Sequence, residues 1–423
     1  MGFELKGKYG VGKVYAETID DVTTGQIVAM LNAPMCENTT LRIMPDAHFG
    51  KGSTVGTSIQ YNGEIEKIVP NVVGVDVGCA ILEYKLPITE ITTKELEKLD
   101  EVIRKYVPSG SSRHDTEKID SLDGDLRMPI TEKALKNVYR SVGTLGGGNH
   151  YIELGQSDVD NSLWLSVHSG SRSLGVLVCQ YYQNLANQNI KDLLKSDIQN
   201  SKIDLLLSHG DLKNMESNLK VIKAKYNMPE ELSYLTGDLV GDYLHDMEIA
   251  QKYSTRNRKA MLDVIVKQMG WAVADSFESM HNYIDTKTKT LRKGATDASE
   301  GLRLVIPLNS RDGALICVGK GSNDWNNSAP HGAGRILSRS KAKHDLDLET
   351  YKKDMSDVFT TSVTQNTLDE SPRAYKNADE IKRLITDTVE ILHVLKPVYN
   401  FKANEKPRVY SKKAKENNSE KPK

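Results

Sequence analysis

The sequence predicts one large α+β domain in which mixed sheets and helices interweave. Three observations lead there. Glycine-punctuated apolar runs, the mark of strands joined by tight turns, occupy residues 1–90, 141–176 and 300–335. Between them, from about Leu174 to Tyr283, apolar residues recur every three to four positions, which is the helical period. No internal repeat and no low-complexity linker interrupts the chain before residue 403. The glycine-rich pieces at 44–80, 143–175 and 294–335 lie far apart in sequence. If they converge, they build one site in one domain.

Residues 1–90 alternate short apolar runs with Gly and Asp, as in IMPDAHFGKGSTVGTSI and KIVPNVVGVDVGCAILEYKL, and are expected to be strands. Residues 91–140 are charge-rich helices with a polar loop near PSGSSRHD. Strand and glycine-loop character returns in SVGTLGGGNHYIEL and LWLSVHSGSRSLG. After the long helical stretch come strands in GLRLVIPLN and GALICVGKG and the loop SAPHGAGR. A last helix is expected over DEIKRLITDTVEILHVLK, then a short strand around PVYNFKA.

The composition of these 423 residues, 38% hydrophobic and 27% charged with 31 Gly against 13 Pro, excludes collagen-like and wholly disordered chains. A chain of this size needs neither disulfide nor metal merely to fold. Its cysteines at 36, 79, 179 and 317 form no CxxC pair, which fits a reducing cytoplasm. No window of 18 apolar residues exists, and the start, MGFELKGKYGVGK, lacks the apolar core of a signal peptide, so a protein neither secreted nor membrane-spanning is expected. The net charge of −1 excludes a strongly basic fold, but residues 403–423 hold seven Lys/Arg against three Glu, a local +4 that leaves about −5 for the rest. That basic tail is expected to be a solubilising disordered end, with an RNA-contacting arm as the alternative.

Several histidines sit in small-residue loops at strand ends, where ligands and catalysts are commonly carried. They are His150 after GTLGGGN, His168 before SGSRSLG, His281 in HNYID and His331 in HGAGR. Asp76 and Cys79 in NVVGVDVGC place a carboxylate and a thiol three residues apart, in a turn that Gly74 and Gly78 make tight. Together with the imidazoles they form an O/S/N ligand set suited to Mn²⁺, Zn²⁺ or Fe²⁺, and one that allows a two-metal centre for phosphoryl chemistry. Taken singly, each residue has a plainer reading as a packed or surface group. GTLGGGN offers backbone N–H groups to phosphate, yet it is neither a P-loop nor a dinucleotide fingerprint. Arg172 is a candidate phosphate clamp, Glu153 a candidate base or ligand-orienting contact, and Asp46, His48 and Lys51 in MPDAHFGKG a polar group in another glycine turn. His331 stands apart in a loop expected to be too open for packing, which suits a nucleophile towards phosphorus. The residues alone therefore point to a metal-dependent phosphoryl- or nucleotidyl-transferring enzyme without naming its substrate.

The ordered set MPDAHFGKG, GVDVGC, GGGNHYIE, VHSGSRSLG, HNY, RKGA and HGAGRILSR resembles the RtcB family of RNA ligases, in family order from about residue 40 to Lys402. The look is that of a divergent bacterial or phage branch. The resemblance implies an RtcB-like domain over 1–402, followed by the tail at 403–423. It also implies GTP- and Mn²⁺-dependent joining of an RNA 3′-phosphate or 2′,3′-cyclic phosphate end to a 5′-hydroxyl end, in RNA repair or tRNA processing. On that resemblance His331 carries GMP as a phosphoramidate. Asp76, Cys79, His150, His168 and His281 hold two Mn²⁺ ions that share Cys79. Asn149, Glu153, Asn282, Gly332, Ala333, Gly334 and Lys402 contact guanylate, and His48, Lys51 and Arg172 are candidates for the RNA. Where many members carry a PGSMG loop, this chain has PLNSRDG at 307–313, so Pro307, Leu308, Asn309 and Ser310 align with it and Arg311 is added beside the nucleotide. Competing readings are a cyclic phosphoesterase without guanylylation and a non-catalytic, metal-stabilised RNA-binding protein. A monomer is the expected state.

Overall fold

The computed structural model describes residues 2–207 and 212–404. The chain opens with strands β1 (Phe3–Lys6) and β2 (Val11–Val14), helix α1 (Asp21–Leu31), and strands β3 (Thr39–His48) and β4 (Val55–Tyr61). One turn of helix, α2 (Pro70–Val73), leads into β5 (Ala80–Leu86). Helices α3 (Thr93–Tyr106) and α4 (Glu132–Tyr139) precede the hairpin β6 (Tyr151–Ser157) and β7 (Leu163–Ser169). Helices α5 (Arg172–Leu207), α6 (Leu212–Lys225) and α7 (Asp238–Met269) follow. Next come β8 (Asp275–Met280), β9 (Asn282–Asp285), β10 (Thr290–Lys293), β11 (Ala295–Asp297), β12 (Arg303–Asn309), β13 (Gly313–Gly319) and β14 (Ser328–Pro330). Helices α8 (Arg339–Asp345), α9 (Leu348–Asp354) and α10 (Ala378–Leu384) and the long strand β15 (Val389–Phe401) finish the described chain.

The strands form a six-stranded sheet, β1-β2-β3-β4-β10-β9, a seven-stranded sheet, β12-β13-β15-β6-β7-β5-β8, and the pair β11-β14. The mixed α+β class is therefore as expected, and strands from distant segments are neighbours. In the seven-stranded sheet every pairing is antiparallel. Its two edge strands approach each other through the Arg303–Asp275 ion pair, so the sheet curls toward closure. Inside the curl lie Ile81, Tyr151, Trp164, Val305, Ile316 and Leu395. On the outer face Leu82, Tyr84 and Leu86 pack against Leu99 and Ile103 of α3 and Met261 and Ile265 of α7. Side chains of β5 thus alternate between two faces, with Leu82, Tyr84 and Leu86 on the outer one and Ile81 and the buried Glu83 on the inner one.

Three local expectations need correction. Residues 21–31 form α1 rather than strand, started by Asp20, whose carboxylate accepts from the Thr23 N–H. The long helical stretch stops at Met269, because Gly270 adopts φ 73° and caps α7, and residues 275–283 belong to β8 and β9. The last helix stops at Leu384, and the chain from Val389 onward is β15. Its β-branched residues and the alternating exposure of Val389, Glu390, Ile391 and Leu392 are strand features that outweigh the apparent helical spacing. Beyond Asn404, the basic tail lies outside the described residues.

The connection between α3 and α4 is tied down by one carboxylate. Asp246 of α7 is fully buried and accepts from the backbone N–H groups of Arg127 and Met128 and from the Tyr182 hydroxyl, at 2.8, 2.9 and 2.9 Å. Asp246→Ala leaves the Arg127 and Met128 N–H groups without this acceptor, while the Tyr182 hydroxyl keeps the Asp242 carbonyl at 3.0 Å, and is expected to cost about 2–4 kcal/mol. A lowered urea midpoint checks this; an unchanged midpoint refutes it.

Candidate active site

The metal-ligand candidates gather at one rim of the seven-stranded sheet. Cys79 immediately precedes β5, His150 immediately precedes β6, His168 lies near the end of β7, and His281 follows β8. Since β6, β7, β5 and β8 are successive antiparallel neighbours, two strand beginnings and two strand ends meet there. Tyr151 is opposite His168, and Ala80 is opposite both Ser169 and Met280.

The side chains converge as their positions require. Cys79 Sγ is 3.2 Å from His168 Nε2 and 3.6 Å from His150 Nε2. His168 Nε2 is 3.2 Å from His281 Nε2, and His150 Nε2 is 2.8 Å from Asp76 Oδ2. The donors fall into two groups, Cys79–His168–His281 and Asp76–Cys79–His150, each with its ligand atoms within 4.8 Å of one another. Burial holds His168 and His281 well below the ordinary imidazole range, with neighbouring histidines adding to the effect, so both favour the neutral form that a metal requires of a ligand. Burial, reinforced by the Asp76 charge, pushes the Cys79 thiol well up, so it gives its proton up only to a cation. His150 Nδ1 is 2.9 Å from the Leu145 carbonyl, which leaves Nε2 to face the cluster. This chemistry fits a divalent transition metal.

His331 stands beside the cluster, its ring centroid 4.8 Å from that of His281. It is carried just past β14, which pairs with β11. The expectation of an open loop is corrected here: the His331 side chain is only 15% exposed, and its Nδ1 lies 2.7 Å from Oδ2 of the fully buried Asp46. The carboxylate holds the proton on Nδ1 and leaves Nε2 with a lone pair. Gly334, at φ 78°, permits this approach, since a Cβ there would lie 2.2 Å from the Asp46 carbonyl oxygen.

The residues that the sequence nominated for the site, except Asp46, His150, Arg172 and Arg311, line one cavity of about 570 Å³. His150 is buried behind Asp76 and Cys79. Arg172 opens α5 at φ 54°, and its guanidinium donates to Thr144 Oγ1 and the Gly110 carbonyl at 3.1 and 2.7 Å, bracing the GTLGGGN loop. Glu153 is buried and accepts from Asn400 Nδ2 at 2.7 Å. Burial raises its carboxyl to about 7, with the Asn400 hydrogen bond and the Lys402 charge restraining the rise. Asn282 binds protein on both sides of its amide, donating to the Asp76 carbonyl at 3.2 Å and accepting from Gly294 N–H at 2.9 Å. His48 ends β3 and Lys51 sits in the β3–β4 connection, with burial lowering His48 to about 4.

Strand β15 returns Lys402 to the cavity, where Nζ is 2.7 Å from Glu370 Oε2. Glu370 also accepts from Arg339 and the Tyr375 hydroxyl at 2.5 and 2.8 Å. Burial alone would raise this carboxyl, but Lys402, Arg339 and Arg335 hold it well below the usual range. Glu370, Arg339, Tyr375 and Asn400 escaped the sequence reading. They lie in short helices or in a strand without glycine punctuation, and only Arg339, in ILSR, stood near a motif. Lys293 of RKGA is likewise buried on the cavity wall, donating to the Lys51 carbonyl and Ser53 Oγ at 2.8 Å each and to the Asn71 carbonyl at 3.1 Å.

A family model described as tRNA-splicing ligase RtcB matches residues 26–128 and 113–403. The chain belongs to the RtcB family. RNA-splicing ligase RtcB of Escherichia coli K12 is 29% identical over 394 residues, covering 85% of this chain and 88% of that protein. The tRNA-splicing ligase RtcB of Nanoarchaeum equitans is 25% identical over 412 residues, covering 81% and 83%. The protein is thus an RNA ligase of the RtcB family, and the hydrolytic and non-catalytic readings are not favoured. Among the described residues, no helix is long and apolar enough to cross a membrane. The departure from the RtcB loop is contained: Arg311 pairs with its neighbour Asp312 at 2.7 Å, and Asn309 Oδ1 accepts from the N–H groups of both. Leu308 is buried, so the added cation is neutralised within its own turn.

Gly170 makes the Asp76 position possible, since a Cβ there would lie 2.0 Å from Asp76 Oδ1. Gly170→Ala is expected to weaken metal binding about 10- to 100-fold, as loss of ligand orientation does. Calorimetric titration with Mn²⁺ checks this, and wild-type affinity in the variant overturns it.

Proposed function

We propose that the protein joins an RNA 3′-phosphate or 2′,3′-cyclic phosphate end to a 5′-hydroxyl end through a His331–GMP intermediate, using GTP and two Mn²⁺ ions. The observation that carries this reading is the Asp46–His331 pair, set against the metal-ligand cluster in one cavity. The two donor groups sharing Cys79 support a pair of ions, held by Asp76, Cys79, His150, His168 and His281. When bound, such ions polarise phosphate oxygens and activate the water that opens a cyclic phosphate.

His331 Nε2 attacks the α-phosphorus of GTP, so a P–N bond forms as the bond to pyrophosphate breaks. Asp46 keeps the Nδ1 proton and stabilises the charge that develops on the ring. An oxygen of the RNA 3′-phosphate then takes the guanylate from His331. The 5′-hydroxyl attacks that activated phosphorus, and GMP leaves. Glu153 and Lys402 contact the guanylate, together with Asn149, Asn282, residues 307–310 and the backbone of 332–334. His48, Lys51 and Arg172 serve the RNA side, with Arg172 acting by holding the glycine loop.

The ligase domain spans 1–402, with 403–423 a basic tail. Four buried, unpaired cysteines support a reducing, cytoplasmic setting. RNA repair or tRNA processing is the setting that uses these two kinds of end.

Intact mass after incubation with GTP and Mn²⁺ tests the chemistry. One acid-labile GMP is expected on the wild type and none on His331→Ala; absence of the adduct with both GTP and ATP rejects the nucleophile. Asp46→Asn is expected to slow adduct formation at least about a hundredfold, because it alters the tautomer while preserving shape. Glu153 predicts a pH dependence. Above about 7 its carboxylate accepts the N–H groups of guanine, and below that it is protonated. GTP affinity is therefore expected to fall about tenfold per unit below pH 7, and Glu153→Gln to flatten the profile. A wild-type profile flat from pH 8 to 6 refutes this.

A further inference from the structure

Phe49 is the most exposed of the five phenylalanines, at 56%. Among the described residues it is also the one strongly exposed large apolar side chain on the catalytic cavity wall. The loop that presents it is clamped on both sides. The Gln26 side chain donates to the Gly50 carbonyl at 2.8 Å and accepts from Gly50 N–H at 3.2 Å. Lys293 holds the Lys51 carbonyl and Ser53 Oγ from beneath. Gly50 has no room for a side chain, since a Cβ would lie 2.3 Å from the Ser53 carbonyl oxygen. An aromatic ring held out toward solvent on a braced loop forgoes the burial that apolar side chains otherwise gain.

Its position indicates what covers it. Phe49 follows the last residue of β3, three residues after Asp46, so it belongs to the six-stranded sheet that orients His331. The groups assigned to guanylate, Glu153, Lys402 and residues 307–310, belong to or directly follow strands of the seven-stranded sheet. The exposed Lys51 lies two residues beyond Phe49, where a phosphate contact can accompany a stacked base.

We propose that Phe49 is a stacking platform for the nucleobase at an RNA end, a base subsite distinct from the guanine site. This rests on the ligase reading above. Stacking on one ring tolerates any base, so the subsite gives affinity and alignment without sequence preference. It holds the terminal nucleotide while its phosphate or hydroxyl reaches the reacting centre.

The test uses the full chain with short, unstructured RNA oligonucleotides bearing 3′-phosphate and 5′-hydroxyl ends. Phe49→Ala is expected to raise the RNA KM on the order of tenfold with little change in kcat, and Phe49→Trp to restore it. Replacing one terminal nucleotide by an abasic residue, at either end in turn, is expected to raise the wild-type KM and abolish the difference between wild type and Phe49→Ala. The end at which the difference disappears identifies the stacked strand. Equal KM values for wild type and Phe49→Ala overturn the proposal, as does a KM rise that survives abasic replacement at both ends. Protein–GMP yield is measured on the same preparations. Its loss in Phe49→Ala alone places the ring in the nucleotide site and also overturns the proposal. Its absence in the wild type counts against the His331 mechanism, and the ligation KM still decides the fate of Phe49.

Discussion

Everything at this site depends on keeping several electron-rich atoms together in a space that water barely reaches. Four donors, Cys79, His150, His168 and His281, crowd together across 3.2 to 3.6 Å. Nothing in hydrophobic packing favours that crowding; a cation does. The sheet supplies the rigidity, because each donor is fixed at the rim of a strand hydrogen-bonded to its neighbour. The Glu83 carboxylic acid, also buried within this sheet and raised to about 8, bonds to Ser166 on β7 and keeps the interior free of another negative charge.

The second half of the site depends on a different balance. Glu370 is a buried anion surrounded by Lys402, Arg339 and Arg335, so a charge cluster forms where a nucleotide's own charges must be accommodated. Asp46 performs the opposite task with one partner, fixing a single imidazole. Six- and seven-stranded sheets thus contribute unlike groups to one cavity: the first orients His331 through Asp46, and the second carries the candidate metal ligands together with Glu153 and Lys402. His331 lies where the two contributions meet.

Much of this was legible in the sequence, and the rest was hidden for identifiable reasons. The five candidate metal ligands and His331 stood out because they lie in or beside glycine-punctuated loops at strand ends, where bulk packing is a poor explanation for a polar residue. The convergence of 44–80, 143–175 and 294–335 followed from the same punctuation. The Asp46–His331 bond, spanning 285 residues, left no local trace. Glu370 and Asn400 look like ordinary surface residues until tertiary structure buries them. Helix α1 was missed because glycine-rich flanks masked its Asp20 cap. The first half of strand β15 was read as helix because its apolar residues also satisfy a helical period, whereas its end around PVYNFKA was read as strand. Lys402 was nevertheless placed correctly, since a terminal strand of any exact length returns it to the same rim.

The place of β15 in its sheet has a consequence for how the protein comes into being. Although it is the last strand among the described residues, it lies between β13 and β6, inside the sheet. A ribosome that has synthesised every proposed metal ligand, all of them before residue 282, has still produced a β6 with one bare edge. His331 follows some fifty residues later, and Lys402 only after β15 itself. Nascent or prematurely ended chains therefore lack the strand that joins β12 and β13 to β6. The order of the strands makes closure of this sheet one of the last events of synthesis.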